Sequence, residues 1–339
     1  MKKGLKAIIA IGVILVVVGA TVGGLVGFAE RINDTTSPQE ELSTWMSYID
    51  SDVLLKNVVI PGAHDAGTAG MLYVSETQSR TINELLACGV RYFDLRVREK
   101  NGKLLMYHGP VNGTDLDSVM TALKTFVTEH PTETLIVDFQ HFDNAKEQVV
   151  AKVEREWQDV MVRNDTEKDD VTFIDELTLV VIRGKIVTFI GEDDGTESAK
   201  AWFFKRNDDE GKKKDCPIQS LYDEKAHKGN QKAFMLETLP KYIEAYKTNP
   251  RGLFVLQCQL TDGMLFLGPK FRESQVEEEM DQYVDSLKDS KDLIYINVIM
   301  RDYLSPSKCT SIIVLNRAKG TVDAEKVSDF EKAFMTIAH

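Results

Sequence analysis

The chain has 339 residues, 43% hydrophobic and 28% charged, a globular composition that excludes wholesale disorder, collagen-like repeats and a small disulfide scaffold. Forty-one Lys and Arg against 53 Asp and Glu give a net charge of -12, which repels phosphate backbones and argues against nucleic acid as a partner. The length supplies one large domain or two modest ones, with chain enough for a substantial core.

Lys2, Lys3 and Lys6 precede an uncharged run from Ala7 to Ala29. At about 1.5 Å per helical residue this run crosses roughly 30 Å of hydrocarbon, which predicts one N-terminal membrane helix acting as a signal anchor. A cleaved signal peptide is the competing reading, because Gly27-Phe28-Ala29 offers small residues at a cleavage site. Basic residues at the extreme N-terminus keep that end in the cytoplasm and put the body outside or in a lumen, membrane-anchored or secreted. Sequons at Asn33, Asn112 and Asn164 fit such a body as a glycoprotein, weakly. Cys88, Cys216, Cys258 and Cys309 lack metal-ligand spacing, and Cys88 and Cys258 lie in apolar runs where buried free thiols are expected.

The expected organisation is a signal anchor or signal peptide over 1–29, a stalk or linker with an amphipathic entry into the fold over 30–50, a barrel over 51–320 and a C-terminal extension or helix over 321–339. Strands are predicted at Asn57–Pro61, Arg91–Val97, Leu104–Tyr107, Thr134–Phe139, Lys185–Ile190, Ala201–Phe204, Leu253–Gln259 and Tyr295–Arg301. Helices are predicted near Thr81–Ala87, Leu116–Glu129, Ala145–Val160, Lys232–Lys247, Glu273–Leu287 and Ser305–Lys319. Alternating strands and helices predict an α/β fold, and their number favours a TIM-type (β/α) barrel, complete, distorted or incomplete, over an open doubly wound sheet. No GxGxxG follows the first strand and no Walker A motif occurs. The charge-dense stretch Asp208–Asp215 reads as a solvated loop.

Barrels carry chemistry at the C-terminal ends of their strands. The first predicted strand runs into Pro61-Gly62-Ala63-His64-Asp65, and the second reads Tyr92-Phe93-Asp94-Leu95-Arg96. Side chains alternate along a strand, so Tyr92, Asp94 and Arg96 share one face. The third ends Tyr107-His108-Gly109. Two histidines, both titrating near neutrality, can serve as general base and general acid around a phosphodiester. An arginine between them supplies a planar bidentate clamp for phosphate oxygens.

These three strand ends, IPGAHDAGT, RYFDLR and YHG, resemble the X-domain family of phosphatidylinositol-specific phospholipase C in its metal-independent, bacterial-like branch. The resemblance continues through Leu135–Phe139, Arg183–Val187, Ile218–Tyr222 and Val298–Leu304. It implies attack of the inositol 2-hydroxyl on phosphorus, giving diacylglycerol and a cyclic inositol phosphate, with a phospholipid membrane and an inositol-lipid headgroup as partners. His64 falls at the general base, His108 at the general acid, Asp65 at the residue assisting the leaving group, Arg96 at the phosphate clamp and Asp94 at the carboxylate beside it. Asp302 matches the aspartate that orients the base. Arg96 stands where the calcium-dependent branch has a carboxylate, and Gln140 where it has a further ligand, so no metal and no cofactor is expected, and Gln140 joins Ser220 and Tyr222 as an expected substrate-binding residue.

Tyr222 matches the tyrosine that stacks on the sugar ring, but Ser220 stands where the family has an aspartate contacting inositol hydroxyls. The resemblance therefore implies intact chemistry with altered headgroup contacts. Two other readings are carried: a metal-dependent barrel phosphodiesterase of the glycerophosphodiesterase or sphingomyelinase D type, and a catalytically silent barrel that binds a lipid headgroup. His141 is read as structural or supporting, Asp138 as lining the barrel mouth or paired in the core, and His130 and His227 as solvated.

Overall fold

The computed structural model describes residues 37–191, 203–205, 216–261 and 268–335. The apolar run at 7–29, Asn33, the first two residues of the strand expected at Ala201–Phe204 and the charged stretch 208–215 lie outside the described residues. Among the described residues, no helix is long and apolar enough to cross a membrane.

Ten strands form one sheet: β1 Ile60–Ala63, β2 Tyr92–Lys100, β3 Lys103–His108, β4 Val111–Asp115, β5 Thr134–Asp143, β6 Lys185–Ile190, β7 Phe204–Lys205, β8 Ile218–Ser220, β9 Leu253–Gln257 and β10 Val298–Arg301. Their order is β7-β6-β5-β2-β1-β10-β9-β8, with every pair on this path parallel. β3 and β4 leave it as an antiparallel hairpin attached to β2. The wound α/β order is as expected, but the expected barrel closure is not seen. β7 and β8 do not pair among the described residues, so the sheet is mixed and open.

The core follows from composition. β1, β9 and β10 are buried on both faces, as parallel strands covered by helices must be. The centre leaves no space at Gly62, where a Cβ would lie 2.7 Å from Val298 Cγ1 and 3.0 Å from Tyr92 Cδ1. Helix Leu116–Glu129 forms as predicted, with Asp115 as its N-cap accepting from the Ser118 amide at 2.8 Å, and buries Leu116, Val119, Met120, Leu123, Phe126 and Val127. β4, β8 and the short helices Asp170–Asp175, Leu179–Ile182, Glu224–His227 and Gly268–Ser274 are not among the predicted elements.

The stretch 30–50, read as a stalk with an amphipathic entry into the fold, is folded over its later described residues. Residues Glu40–Tyr48 form a kinked 3-10 helix whose Leu42, Trp45 and Met46 are buried. Two arginines at the N-terminal end of the sheet anchor it. Arg91 donates to the carbonyls of Leu42 and Ser43 and pairs with Glu133 at 2.8 Å, while Arg183 donates to the carbonyls of Met46 and Ile49. The packed body thus includes residues 40–48, whose apolar face closes the end opposite the site. At the other terminus, helix Val327–Phe334 packs Phe330 and Phe334 edge-on to Tyr48.

Arg91 and Glu133 are both fully buried. Removing one partner strands the other's charge, so Glu133→Ala is expected to cost about 3–5 kcal/mol in urea unfolding. A loss below about 1 kcal/mol would show that the carbonyls of Leu42, Ser43, Leu86 and Val90 hold Arg91 without the carboxylate.

Candidate active site

β1 delivers His64 and Asp65 as the strand leaves the sheet. Asp65 adopts a positive φ of 43°, and this turn points its carboxylate back across the strand ends. The Asp65 amide donates to Asp94 Oδ2 at 3.2 Å, and the Ala66 amide donates to the Asp94 carbonyl at 2.8 Å, which ties the turn to β2. β10 delivers Asp302, whose Oδ1 lies 2.7 Å from His64 Nδ1. A carboxylate there holds the proton on Nδ1 and leaves Nε2 facing the mouth.

Arg96 is ion-paired through Nε with Asp65, and its Nη2 stands 3.4 Å from His64 Nε2. His108 approaches from the β3–β4 hairpin, its Nε2 3.6 Å from Asp65 Oδ2. Its Nδ1 is 2.9 Å from the Ser75 carbonyl, an acceptor only, so Nδ1 carries a proton and Nε2 is the exchanging nitrogen. Both histidines therefore present Nε2 to the same carboxylate, beside one guanidinium.

The electrostatics follow from that crowding. Burial opposes a charged His64, but the Asp65 and Asp302 carboxylates outweigh it and lift the ring to about 9. Burial likewise opposes an ionised Asp65, yet Arg96 and the histidines hold it below the ordinary carboxylate range. Asp94 is pushed up to about 7 by burial and by the neighbouring Asp65 charge. One guanidinium thus sustains one fully ionised carboxylate, and the second carries a proton more readily.

The other expected residues divide. Gln140 is buried behind the site, its Nε2 donating to Asp138 Oδ2 at 3.2 Å and to the Tyr92 hydroxyl at 3.4 Å. Tyr92 donates to the same Asp138 oxygen at 2.6 Å, so Asp138 is a paired core group. Ser220 Oγ accepts from Gln257 Nε2 at 2.7 Å, and Gln257 Oε1 accepts from Gln259 Nε2 at 2.8 Å. Tyr222 lies within electrostatic reach of Arg96, with its hydroxyl 3.0 Å from Thr261 Oγ1.

His227 is a correction: it is fully buried, its ring 4.3 Å from that of Tyr222 and its Nδ1 2.7 Å from the Gln259 carbonyl. Burial pushes it down to about 4, so it is neutral. The charged residues around it in sequence face outward while its own side chain turns in. His141 is exposed at the rim, paired in register with Arg96, and contributes to holding Asp65 low.

Sequence reasoning missed Gln78. This buried side chain donates through Nε2 to the His64 carbonyl at 3.0 Å and the Arg301 carbonyl at 2.9 Å, and accepts from the Leu304 amide at 3.0 Å. It clasps the ends of β1 and β10 and so fixes the spacing of His64 and Asp302. A lone glutamine in a loop carries no pattern that would reveal this.

Residues 54–189 match the family model described as phosphatidylinositol-specific phospholipase C, X domain. A 1-phosphatidylinositol phosphodiesterase of Listeria monocytogenes is 26% identical over 182 residues, spanning 48% of this chain and 53% of that protein. A human protein named PI-PLC X domain-containing protein 2 is 40% identical over 72 residues, 20% of this chain and 23% of its own. The chain thus spans about half the length, or less, of these curated relatives. Among solved structures, the phosphatidylinositol-specific phospholipase C from Listeria monocytogenes aligns with a TM-score of 0.66 at 18% identity, covering 81% of this chain and 98% of that one. A single-site mutant of the phosphatidylinositol-specific phospholipase C from Staphylococcus aureus aligns with a TM-score of 0.63 at 17% identity, covering 85% and 100%. At such identities the structural likeness establishes the fold, while the match over 54–189 contains His64, Asp65, Asp94, Arg96 and His108. That match covers residues 54–189, less than half of the chain, and marks a segment similar to the X domain of phosphatidylinositol-specific phospholipase C.

Proposed function

We propose that this protein is a phosphodiesterase that cleaves phosphatidylinositol-type lipids by intramolecular phosphoryl transfer on a distorted (β/α) barrel. The observation that carries the reading is the convergence of two histidines, each with its Nδ1 proton fixed by a separate acceptor, on Arg96 and Asp65. In its neutral form, which gains population as pH rises toward about 9, His64 Nε2 takes the proton of the inositol 2-hydroxyl as its oxygen bonds to phosphorus. His108 Nε2 gives a proton to the diacylglycerol oxygen as the P–O bond breaks. Arg96 meets the charge that grows on the phosphate oxygens, in a partly buried setting where that charge is worth more than in water. Asp65 holds the Arg96 fork and the His108 ring on the leaving-group side.

A lipid substrate is further supported by Leu72 and Tyr73, 65% and 61% exposed in the loop that also provides the Ser75 carbonyl to His108. Leu236, 65% exposed, lies on the segment Phe234–Thr238 that packs Phe234 against His227. Apolar side chains around a polar mouth suit a membrane surface. The N-terminal basic and apolar sequence supports export, with the body either anchored or released.

A metal-dependent phosphodiesterase is the second reading, because His64, Asp65 and Asp94 bring donor atoms within 4.8 Å of one another. The donor set does not fit a resident divalent ion. Arg96 is already paired with Asp65 beside His64 Nε2, and a permanent cation would repel a second one there.

Phosphatidylinositol vesicles assayed in EDTA should yield diacylglycerol and cyclic inositol phosphate. His64→Ala and His108→Ala should each lower kcat by about 10²–10⁴, and Arg96→Lys should also be poor because a point charge cannot reproduce the fork. Activity that appears only with added metal would overturn the reading of Arg96, and near-normal rates in all three variants would overturn the site.

NMR titration should place His64 near 9, and Asp302→Asn should bring it down toward the ordinary value of 6.5. Because folding raises this pKa, the ion pair's contribution to stability is complete below about 6.5 and is lost as pH rises through about 9. Unfolding curves between those limits should therefore fall less with pH in Asp302→Asn than in wild type. An unshifted His64 in the wild-type protein would contradict the arrangement.

A further inference from the structure

His108 sits on a two-stranded excursion from the parallel sheet. The β2–β3 ladder ends at Val97 and Met106, so Tyr107 and His108 have no ladder partner on β2. Their ladder is to β4, through Tyr107–Asn112 and His108–Val111, and β4 itself pairs with no other strand among the described residues. The turn that follows contains Gly109 at φ 55°. A two-stranded excursion is marginally stable on its own. A general acid placed there needs some other restraint, since a displacement of about 1 Å can cost about 10²-fold in rate.

We infer that Arg98 is that restraint, a positioning residue that holds the His108 turn on the rigid parallel sheet. Arg98 lies two residues beyond Arg96 on β2. Its Nη2 donates to the Gly109 carbonyl at 3.1 Å, and its Nη1 donates to Asn112 Oδ1 at 3.2 Å. Its Nε donates to Asp143 Oδ2 at 2.6 Å, which fixes the guanidinium to the end of β5. Its Cζ stands 4.3 Å from the centre of the Tyr107 ring. One planar group therefore touches the residue before His108, the residue after it, and the strand opposite.

An ordinary surface ion pair would explain the contact with Asp143 and nothing more, and such pairs contribute little. Here the remaining donors of the fork are spent on a backbone carbonyl and a side-chain amide of the hairpin. Only a guanidinium has enough donors in a fixed plane to reach all three acceptors; an ammonium has three donors but no fork. The Ser75 carbonyl then orients the imidazole about its own axis, while Arg98 fixes the backbone from which the ring projects. This role rests on the assignment of His108 as the acid that protonates the leaving group.

The test compares two substrates that differ in their need for that acid: phosphatidylinositol, with an alkoxide leaving group, and an inositol p-nitrophenyl phosphodiester, whose phenoxide leaves without a proton. Arg98→Met should lower kcat on the lipid by about 10–100-fold, because a mispositioned acid loses much of the usual 10²–10⁴, and should change the p-nitrophenyl rate less than about threefold. Arg98→Lys should show the same selectivity, since it keeps the charge and loses the fork. Asn112→Ala, which removes one anchor on the hairpin side, should show a smaller loss in the same direction and stands in if Arg98→Met does not fold. His108→Ala is the reference. If it is selective between the substrates and none of the Arg98 or Asn112 variants is, the positioning role is refuted while His108 keeps its own. If His108→Ala slows both substrates equally, the assignment of His108 as the acid fails and takes this inference with it.

Discussion

Asp65 is buried among three basic groups, and its ionisation depends on them. Moving a lone carboxylate out of water is costly, and Asp65 remains charged because Arg96 is paired with one of its oxygens while His64 and His108 face the other. The dependence is mutual. His64 reaches a pKa of about 9 against its own burial through Asp65 and Asp302. The site thus exists as a balanced cluster of charges, in which each member fixes the protonation of the next. Asp94 shows the limit of that balance: with one guanidinium available, the second buried carboxyl is driven up to about 7. A phosphodiester entering such a cluster would meet Arg96 already aimed and would compete with Asp65 for its fork.

Charges this close are useful only if their positions are fixed, and the fold fixes them through groups remote from the reacting atoms. Gln78 clasps the ends of β1 and β10, which bear His64 and Asp302. Behind β10, Arg301 pairs with Glu273 at 3.1 Å and with Asp281, and Lys308 joins Glu273 at 2.9 Å. This buried ionic cluster sits one residue from Asp302 and anchors the strand end from below. On β5, Gln140 is an extra residue, so that Leu95 faces Phe139 but Arg96 faces His141. The irregularity bends the strand pair where Arg96 must turn toward the mouth, the usual place for a bulge beside a site.

The strand ends are legible in the sequence because polar residues in an apolar strand are costly unless they act. His64, Asp94, Arg96 and His108 stand out for that reason, and Lys185–Ile190 and Leu116–Glu129 are readable to the residue from their apolar pattern. The failures have physical causes. β8 has three residues and β4 is polar, so neither carries a period that could be counted. Residues 40–49 are held in the core by arginines distant in sequence, which local composition does not record. His227 reads as solvated amid charged neighbours, yet one residue of a short helix can turn inward while the rest face water. Gln78 and Arg98 act by reaching across chain segments, and such reach is a property of the folded backbone alone.

The two halves of the mouth differ in kind. The side built from β1, β2, β3 and β10 carries ionised groups and is held by short charge-assisted contacts. The side built from β8 and β9 is neutral: Ser220, Gln257 and Gln259 form a hydrogen-bonded line, and His227 is kept uncharged by burial. That neutral side is also where the sheet is least regular, with β8 only three residues long and unpaired on its outer edge among the described residues. Changing a neutral side chain there leaves the charge balance around Asp65 undisturbed. Ser220 thus sits in an uncharged line, apart from the two histidines, the arginine and Asp302. An added carboxylate at position 220 would be buried in that neutral line, and its charge would need a cation that Gln257 and Gln259 do not supply.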